Sequence, residues 1–442
     1  MNRIFRLSAL GLLALSTQLY ASGYRLEFQS ASVLADSGEA AVVEDAGTNW
    51  YNSAGLPSLP LQVVMSGIDV YAPTTFSGTV IAPSSVNAVL PGFGFGSDYY
   101  ISGTASSHPN SFLPAFHLSA PITKCISLGL SVAPAWGFTE DYGEGSILRY
   151  NLTRVYTKTI MTSPSIAFQI NPQWSVGIGP DIHYFSVQSK THVRTQGSDL
   201  GLFFGAGTVN DSASRFTAND WAYGGHFGVL FKYDDATRVG LNYRSKINMH
   251  LDGYSSFASD VLGFYETNTF KLPIALPATT SFSIYHDMNP CWALMGTITY
   301  DQWSSIQNYH ARNYIQPPLP ANPTGILSDV TLQQDMRNTF DIGVGTHYKL
   351  NDKLMLRANF KYEQTPTRNE FRNVNFPDGP KYGVQVGARY QVSCKVAIDL
   401  IYGHVFVPTI RIHDVNPVSF ATATGNQRTS IDLLGGQLVW NL

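Results

Sequence analysis

The stretch from Val239 to Leu251, VGLNYRSKINMHL, alternates between two kinds of side chain. Its odd-numbered positions are apolar except for Ser245, and its even-numbered positions are polar, charged or glycine. A period of two places successive side chains on opposite faces of a β-strand. Strands of soluble proteins are usually only about five or six residues long. The stretch therefore predicts an unusually long strand with one apolar face.

The same alternation recurs along the chain, with aromatic residues toward the ends of each stretch. It covers Trp174 to Tyr184, Leu354 to Tyr362 and Tyr382 to Tyr390. Strands of a soluble β-sandwich also alternate, but there a turn arrives about every 8–12 residues. Long stripes with aromatic ends are typical of a transmembrane β-barrel, which turns its apolar face to lipid and its polar face to the lumen.

The turns set the number of strands. Short turns are predicted at Pro121 to Lys124, Asn171 to Gln173, Asp234 to Ala236, Met288 to Pro290, Leu350 to Asp352 and Val392 to Cys394. Longer segments lie between them, at 73–111, 136–150, 194–220, 255–277, 307–335, 364–379 and 412–427. Six short turns alternating with seven long loops join fourteen strands, an even number as in bacterial barrels. The predicted fold is an all-β membrane protein, a 14-stranded antiparallel transmembrane β-barrel.

Composition and charge exclude other classes of protein. Only 13% of residues are charged, against about 25% in ordinary soluble domains. The formal net charge is −3, so there is no basic excess for nucleic acid. The three cysteines, Cys125, Cys291 and Cys394, are too few and too far apart for a disulfide framework. No metal-ligand spacing accompanies them, and neither a metal nor another cofactor is expected.

The N-terminal segment predicts export. Arg3 and Arg6 precede a mostly apolar run, Leu7 to Leu15, and small residues follow at Ala21 and Ser22. This order is typical of a secretory signal peptide, predicted at residues 1–21. The alternative, a membrane anchor, is disfavoured because the apolar run is far shorter than the about 20 residues of a spanning helix.

Residues 22–60 lack sustained alternation and are predicted to form a lumenal plug (hatch), with the barrel at 61–442. The segment carries many small and acidic residues, and also four aromatic ones, Tyr24, Phe28, Trp50 and Tyr51. A periplasmic tail is the alternative, but tails are poor in aromatic residues, which favour burial.

In this order and spacing, several motifs resemble the FadL/TodX family of outer-membrane transporters of hydrophobic compounds. They are Gly23-Tyr24, Ser37-Gly38-Glu39-Ala40, Glu44-Asp45-Ala46, Asn52-Ser53-Ala54-Gly55, Leu241-Asn242-Tyr243-Arg244-Ser245, Tyr300-Asp301-Gln302-Trp303-Ser304 and Tyr362-Glu363-Gln364-Thr365-Pro366. The chain departs from the family at Ser53, where a proline is usual and makes the turn more rigid, and at Leu442, where phenylalanine is usual.

The resemblance implies a monomeric, non-enzymatic protein for passive uptake across the Gram-negative outer membrane, in contact with its lipid. Its ligand would be a long-chain fatty acid or another hydrophobic small molecule. Capture would occur in an apolar groove on the outer loops. The residues implied are Leu200, Leu202, Phe203, Phe204, Phe257, Val261, Leu262, Phe264 and Tyr265, the last five with helical spacing. Alternatively, these loops only pack on one another to cap the barrel.

The resemblance also implies a lumenal pocket in which basic residues meet the ligand's carboxylate. Arg337 is one candidate, and Lys190 and Arg194 are alternatives for the second. A cation in an apolar pocket favours an anion because buried charge is costly unless it is paired. The other interpretation is that each cation is solvated or paired with a neighbouring acidic residue.

Two elements would gate release. Strand three of the barrel contains Pro134, which removes a donor from the ladder and would open the wall toward lipid, unless it already lies in the outer loop. In the plug, Ser22, Gly23 and Tyr24 would form a tip that reaches into the pocket, with Asn52, Ser53, Ala54 and Gly55 as part of the hatch. The acidic residues Glu39, Glu44 and Asp45 would hold the plug to inward Arg and Lys.

Three other functions compete with fatty-acid uptake. A carrier of neutral aromatic hydrocarbons would need no lumenal cation, and a general porin would conduct ions readily. An enzyme such as a barrel phospholipase would use inward histidines, for which the alternation nominates His183, His226, His250 and His347. No nucleophile elbow or metal-ligand spacing supports the enzyme.

Overall fold

The alternating stretches pair edge to edge into one closed antiparallel sheet. The computed structural model describes residues 23–83, 98–196, 209–259, 263–316 and 326–442. The first strand pairs with the last, from Gln62↔Asn441 to Tyr71↔Asp432, and this pairing closes the barrel. The predicted 14-stranded antiparallel barrel is confirmed.

Seven of the fourteen barrel strands are continuous. They are β7 (Arg154–Gln169), β8 (Trp174–Gln196), β9 (Val209–Lys232), β18 (Leu354–Glu363), β19 (Lys381–Ser393), β20 (Val396–Val415) and β21 (Thr422–Asn441).

The other seven barrel strands are each interrupted once, so that each consists of two segments. In chain order these are β1 (Gln62–Tyr71) with β2 (Thr74–Ala82), β3 (Tyr99–Ser107) with β4 (Asn110–Pro121), β5 (Ile126–Ala133) with β6 (Thr139–Asp141), β10 (Thr237–Arg244) with β11 (Ile247–Ser259), β12 (Gly263–Leu276) with β13 (Thr279–Asn289), β14 (Trp292–Asp301) with β15 (Asn308–Gln316), and β16 (Ile326–Gln333) with β17 (Thr339–Lys349).

Each of the six predicted short turns connects two paired strands. The predicted long loops are shorter than expected, because the strands extend into the segments assigned to them. The segment 255–277, for example, is mostly the hairpin of β11 and β12, in which Phe257 pairs with Tyr265 and Ala258 with Phe264. The helical spacing inferred for this segment was therefore wrong. Tertiary pairing overrides a local spacing that fits a helix in so short a segment.

In the stretch Val239 to Leu251, only the first part turns its apolar side chains to lipid. Leu241 and Tyr243 are exposed on the outer surface, but Met249 and Leu251, at the same parity, are buried inside the barrel. The cause is a register change: Arg244 pairs with His226 and Asp252 with Asn219. Residues 245–251 thus face residues 220–225, one residue fewer, and an extra residue turns the following side chains to the opposite face.

The described part of the predicted plug, residues 23–60, fills the lumen. It contains two short helices, α1 (Ala31–Leu34) and α2 (Thr48–Tyr51), and a 3-10 helix, Ser53–Ser58. Most of its side chains are buried, including the four aromatic residues. Among the residues described, no helix has the length and apolar character needed to cross a membrane.

Candidate functional site

Strand three of the barrel is broken at the place where the plug begins. β5 ends at Ala133 and the strand resumes only at Thr139, in β6. The register pairs between β4 and β5 begin at Phe116↔Val132, and β6 pairs with β7 on its other side. Pro134 therefore lies in the break itself, neither inside a paired strand nor in an outer loop.

The plug tip is hydrogen-bonded to this break through an isolated β-bridge. Arg25 pairs with Trp136 as an antiparallel bridge. The backbone N–H of Leu26 donates to the Ala135 carbonyl (2.8 Å), and the N–H of Gly137 donates to the Tyr24 carbonyl (2.8 Å). The Gln29 side chain adds a hydrogen bond to the Pro134 carbonyl (2.8 Å). Backbone groups that the broken strand leaves unpaired are thus satisfied by the plug.

Aromatic rings surround the tip. The ring of Tyr24 meets the rings of Trp303, Phe376 and Trp136 edge-on, at centroid distances of 4.9, 5.7 and 6.0 Å. Its hydroxyl accepts a hydrogen bond from Tyr309 (3.1 Å). These contacts hold Tyr24 as the floor of a cavity. Trp303 belongs to a motif quoted for the family resemblance, but its place beside the tip had no signal in the sequence.

The cavity that Tyr24 lines has a volume of about 180 Å³. Its lining is mainly aliphatic and aromatic. It includes Phe138, Val155, Phe185, Val187, Phe216, Leu251, Leu272, Ile274, Ala311, Val330, Leu332, Phe376 and Val418. Neutral polar residues complete it: Thr157, Ser189, Thr191, Tyr309, Tyr314, Gln334, Asn373, Asn375 and Asn416. A pocket of this kind suits a hydrophobic ligand.

The structure does not bring the three predicted cations to this cavity. Arg337 is exposed, and its guanidinium donates to the Thr365 carbonyl (3.2 Å). Lys190 forms an ion pair with Glu144, and Arg194 donates to the Ala82 carbonyl (3.2 Å). None of the described lining residues is charged.

Strand parity explains the positions of Lys190 and Arg194. Ser189 and Thr191 of β8 line the cavity, so their neighbour Lys190 points to the other face of the strand, as does Arg194. The ion pair with Lys190 also affects the pKa of the Glu144 carboxyl. Partial burial raises this pKa, but the hydrogen bond and charge of Lys190 outweigh burial and lower it below its usual value.

The predicted capture groove is only partly described. Ser22 of the tip, and Leu200, Leu202, Phe203, Phe204, Val261 and Leu262 of the groove, lie outside the described residues. Phe257 is buried in the main core, and Tyr265 packs against that core, whereas Phe264 is exposed. These three residues do not form one groove face.

The motif Asn52 to Gly55 anchors the plug at the short-turn end of the barrel, away from the break in strand three. The Asn52 amide donates to the carbonyls of Ala40 (2.7 Å) and Val229 (3.0 Å). The Ala54 carbonyl accepts from the Ser175 hydroxyl (2.7 Å). Ser53, in the place of the family's proline, starts a regular 3-10 helix with Asn52 as its N-cap.

Two ionic groups join the plug to the wall, and both contain the acidic residues predicted for this role. In one, Lys361 pairs with Glu39 (3.1 Å) and with Glu27. In the other, Arg389 pairs with Asp45 (2.6 Å), and Glu44 pairs with Arg357 and His347. Arg25 adds a third connection from the tip, to Asp301 (3.1 Å) and Asp341 (2.8 Å). Buried charges are thus paired rather than isolated, as their desolvation requires.

Three of the four nominated histidines face inward, but His250 is exposed because it follows the register change. His226 bonds Ser165 through Nε2 (2.9 Å) and Asp181 through Nδ1 (2.9 Å). Asp181 also accepts from Arg244 (2.6 Å), and Arg244 in turn donates to the Trp50 carbonyl of the plug (2.7 Å). This group therefore belongs to the contacts between plug and wall.

Comparison with known proteins identifies the family to which this barrel belongs. Residues 12–437 match the family model described as outer membrane protein transport protein (OMPP1/FadL/TodX). The chain belongs to the FadL/TodX family. FadL/TodX proteins are outer-membrane transport proteins, and this chain is accordingly a protein of the outer membrane.

Individual members of the FadL/TodX family are distant in sequence but close in fold. The long-chain fatty acid transport protein of Salmonella typhi is 25% identical over 448 residues, which cover 92% of each chain. The structure of a Pseudomonas aeruginosa FadL homologue has a TM-score of 0.78 at 19% identity, covering 95% of this chain and 99% of the homologue. The P. putida toluene transporter TodX has a TM-score of 0.70 at 16% identity, covering 96% and 99%.

Proposed function

We propose that this FadL/TodX protein takes up hydrophobic compounds passively, through its apolar cavity and out of the barrel wall at the break in strand three. The observation that carries the proposal is the position of Tyr24. Its ring lines the cavity, and its carbonyl accepts a hydrogen bond from Gly137 in the break. Movement of one residue would therefore connect the binding site with the opening in the wall.

The way the opening is closed supports the proposed lateral release. Between Ala133 and Thr139 the register pairs with β4 stop, and the backbone there is bonded by the plug tip as well as by Thr157 and Thr159 of β7. A ligand that displaces the tip would leave an opening toward the hydrocarbon of the membrane, where an apolar compound is more stable than in water. No energy source is needed for such a transfer.

Two ligand classes are candidates. Long-chain fatty acids are the first, because curated relatives are named as long-chain fatty acid transport proteins. Neutral aromatic hydrocarbons are the second, favoured by the aromatic side chains and the lack of charge in the described lining. Radiolabelled oleate and toluene, supplied to cells with and without the protein, separate the two. The fatty-acid assignment fails if only toluene enters faster.

A reversible lock on the tip tests the release route. We expect the double variant R25C/W136C to stop uptake when oxidised and to restore it when reduced. The flanking hydrogen bonds make Arg25 and Trp136 a non-hydrogen-bonded antiparallel pair. The Cα atoms of such pairs lie about 4.5 Å apart, within the range that a disulfide spans. Uptake of the labelled compound is measured in both redox states. Because both states lack Arg25 and Trp136, the difference between them reports only the disulfide.

The native cysteines and the wall provide controls. Cys125, Cys291 and Cys394 are exposed and are replaced by serine in every variant. The control T75C/S106C joins a register pair within the wall, at β2 and β3, and should transport equally in both redox states. Equal uptake by oxidised and reduced R25C/W136C would rule out release through strand three. We further propose that one copy is sufficient, which light scattering of the purified protein can check.

A further inference from the structure

Gln334 is a buried amide that faces the cavity. It follows β16, and its backbone N–H donates to the Gln307 carbonyl (2.8 Å). Its side chain is only 2% exposed and lines the cavity. Among the described residues, no donor or acceptor bonds its side-chain amide. A buried amide in a native protein normally has a hydrogen-bond partner.

Two other amides of the lining, Asn416 and Asn373, are occupied. Asn416 donates to the Asn151 carbonyl (2.7 Å) and accepts from the N–H of Val418 (2.8 Å). Asn373 accepts from the N–H of Phe376 (2.9 Å). Gln334 therefore differs from these loop amides, whose role is to hold the backbone. Within the described part of the chain, its two N–H donors and its carbonyl oxygen bond nothing and can serve a bound molecule.

The charge of the surroundings limits what that molecule can be. The described cavity lining has no charged residue. The internal segments outside the described residues, 84–97, 197–208, 260–262 and 317–325, contain neither Lys nor Arg. No cation from these segments can therefore complete the site. Among the side chains of the described lining and of these segments, a buried carboxylate would find no counter-charge, and carboxylates without one become neutral.

We propose that Gln334 binds the headgroup of the ligand, and that the cavity selects amphiphiles with one uncharged hydrogen-bonding head. Alcohols, ketones and protonated carboxylic acids belong to this class. A protonated acid can form two hydrogen bonds with a primary amide, donating its O–H to the carbonyl and accepting an N–H. The inference rests on the proposed function and specifies the ligand class of the same cavity. A fatty acid would then bind as the neutral acid.

Binding of three ten-carbon probes tests this inference. Decane, decan-1-ol and decanoic acid are titrated calorimetrically into the full chain in phosphatidylcholine vesicles, with protein-free vesicles as the blank. The variant Q334L should bind decan-1-ol about tenfold more weakly, the cost of about one hydrogen bond, and decane as tightly as the wild type. The matched control Q333L changes the exposed neighbour and should leave all three affinities unchanged.

The pH profile of the unmodified protein is an independent readout that does not depend on the folding of a variant. The affinity for decanoic acid should fall about tenfold per pH unit above the pKa of the acid, while that for decan-1-ol stays constant. Flat binding of decanoic acid between pH 5 and 9, or undiminished binding of decan-1-ol by Q334L, would refute the headgroup assignment. If even decane does not bind the wild type, the proposed function itself is wrong.

Discussion

Arg25 shows how much of the plug's position depends on one side chain. Its guanidinium reaches Asp301 and Asp341 of the wall and Glu27 of the plug, and the side chain is largely buried. Both wall aspartates are fully buried. Removing the cation would leave carboxylates that are buried and unpaired, which costs more than the pair itself contributes.

We therefore expect R25M to loosen the tip, lowering the free energy of local opening by about 3–5 kcal/mol. Hydrogen–deuterium exchange of peptides from residues 23–60 measures this opening. The control is K271M, because Lys271 and Asp252 form an exposed pair at 3.6 Å, and exposed pairs contribute little. Exchange in R25M no faster than in K271M would contradict the expected role of Arg25.

At the scale of elements, the hydrogen-bond ladder between β7 and β8 is interrupted, and the interruption has room only for a small residue at Gly179. The register runs through Thr162↔Ile182 and resumes at Ile166↔Ile178, with Pro164 and Pro180 in between. Each proline removes one backbone donor. The strands nevertheless stay close at this point. A Cβ added to Gly179 would lie only 2.0 Å from the Pro164 carbonyl oxygen.

The variant G179A should therefore destabilise the barrel. The new methyl group meets backbone on one side and the His226 ring (2.7 Å) on the other, so strand and ring must both move. Overpacking of this kind costs about 1–3 kcal/mol, measured as the free energy of unfolding in urea. G145A is the matched control, since nothing lies within 4 Å of its added Cβ. Equal stability of the two variants would show that the gap tolerates a side chain.

For the whole molecule, the barrel and the plug have separate roles. The fourteen strands form a closed wall that needs no plug residue for its pairing except at the break in strand three. Below the cavity the inward faces are polar, as with Asp181 and His183 on β8. At this width, something besides strand side chains must fill the lumen, and the plug occupies that space.

Deleting residues 23–60 should therefore turn a poorly conducting protein into one that conducts ions. Planar-bilayer recordings compare the deletion with the full chain at equal protein density. The far-UV circular dichroism of the deletion variant must show an intact barrel for the comparison to hold. A full chain that conducts as strongly as the deletion variant would mean that the plug does not seal the lumen.

Much of the architecture follows from the sequence alone. Long alternation, six short turns and an aromatic-rich N-terminal segment predict a plugged barrel. The two-residue period is a local property of each strand, so it can be recognised without knowing which strands pair with it. Gly23-Tyr24 is one of the motifs that carry the family resemblance, and the structure places Tyr24 at the break in strand three. The signal-peptide boundary at residue 21 and the outer capture groove stay predictions.

Other features were decided only by the tertiary structure. One extra residue near Ser245 moves Met249 and Leu251 from the predicted lipid face into the barrel. The alternation of one strand does not show that this strand has a residue more than its neighbour. Lys190 and Arg337 have the right chemistry for a carboxylate, but their positions direct them away from the cavity. Gln334 had no signal, and Arg25 meets Asp341 across more than three hundred residues. The period of a strand is encoded locally, whereas the space that a side chain enters depends on strands paired from elsewhere in the chain.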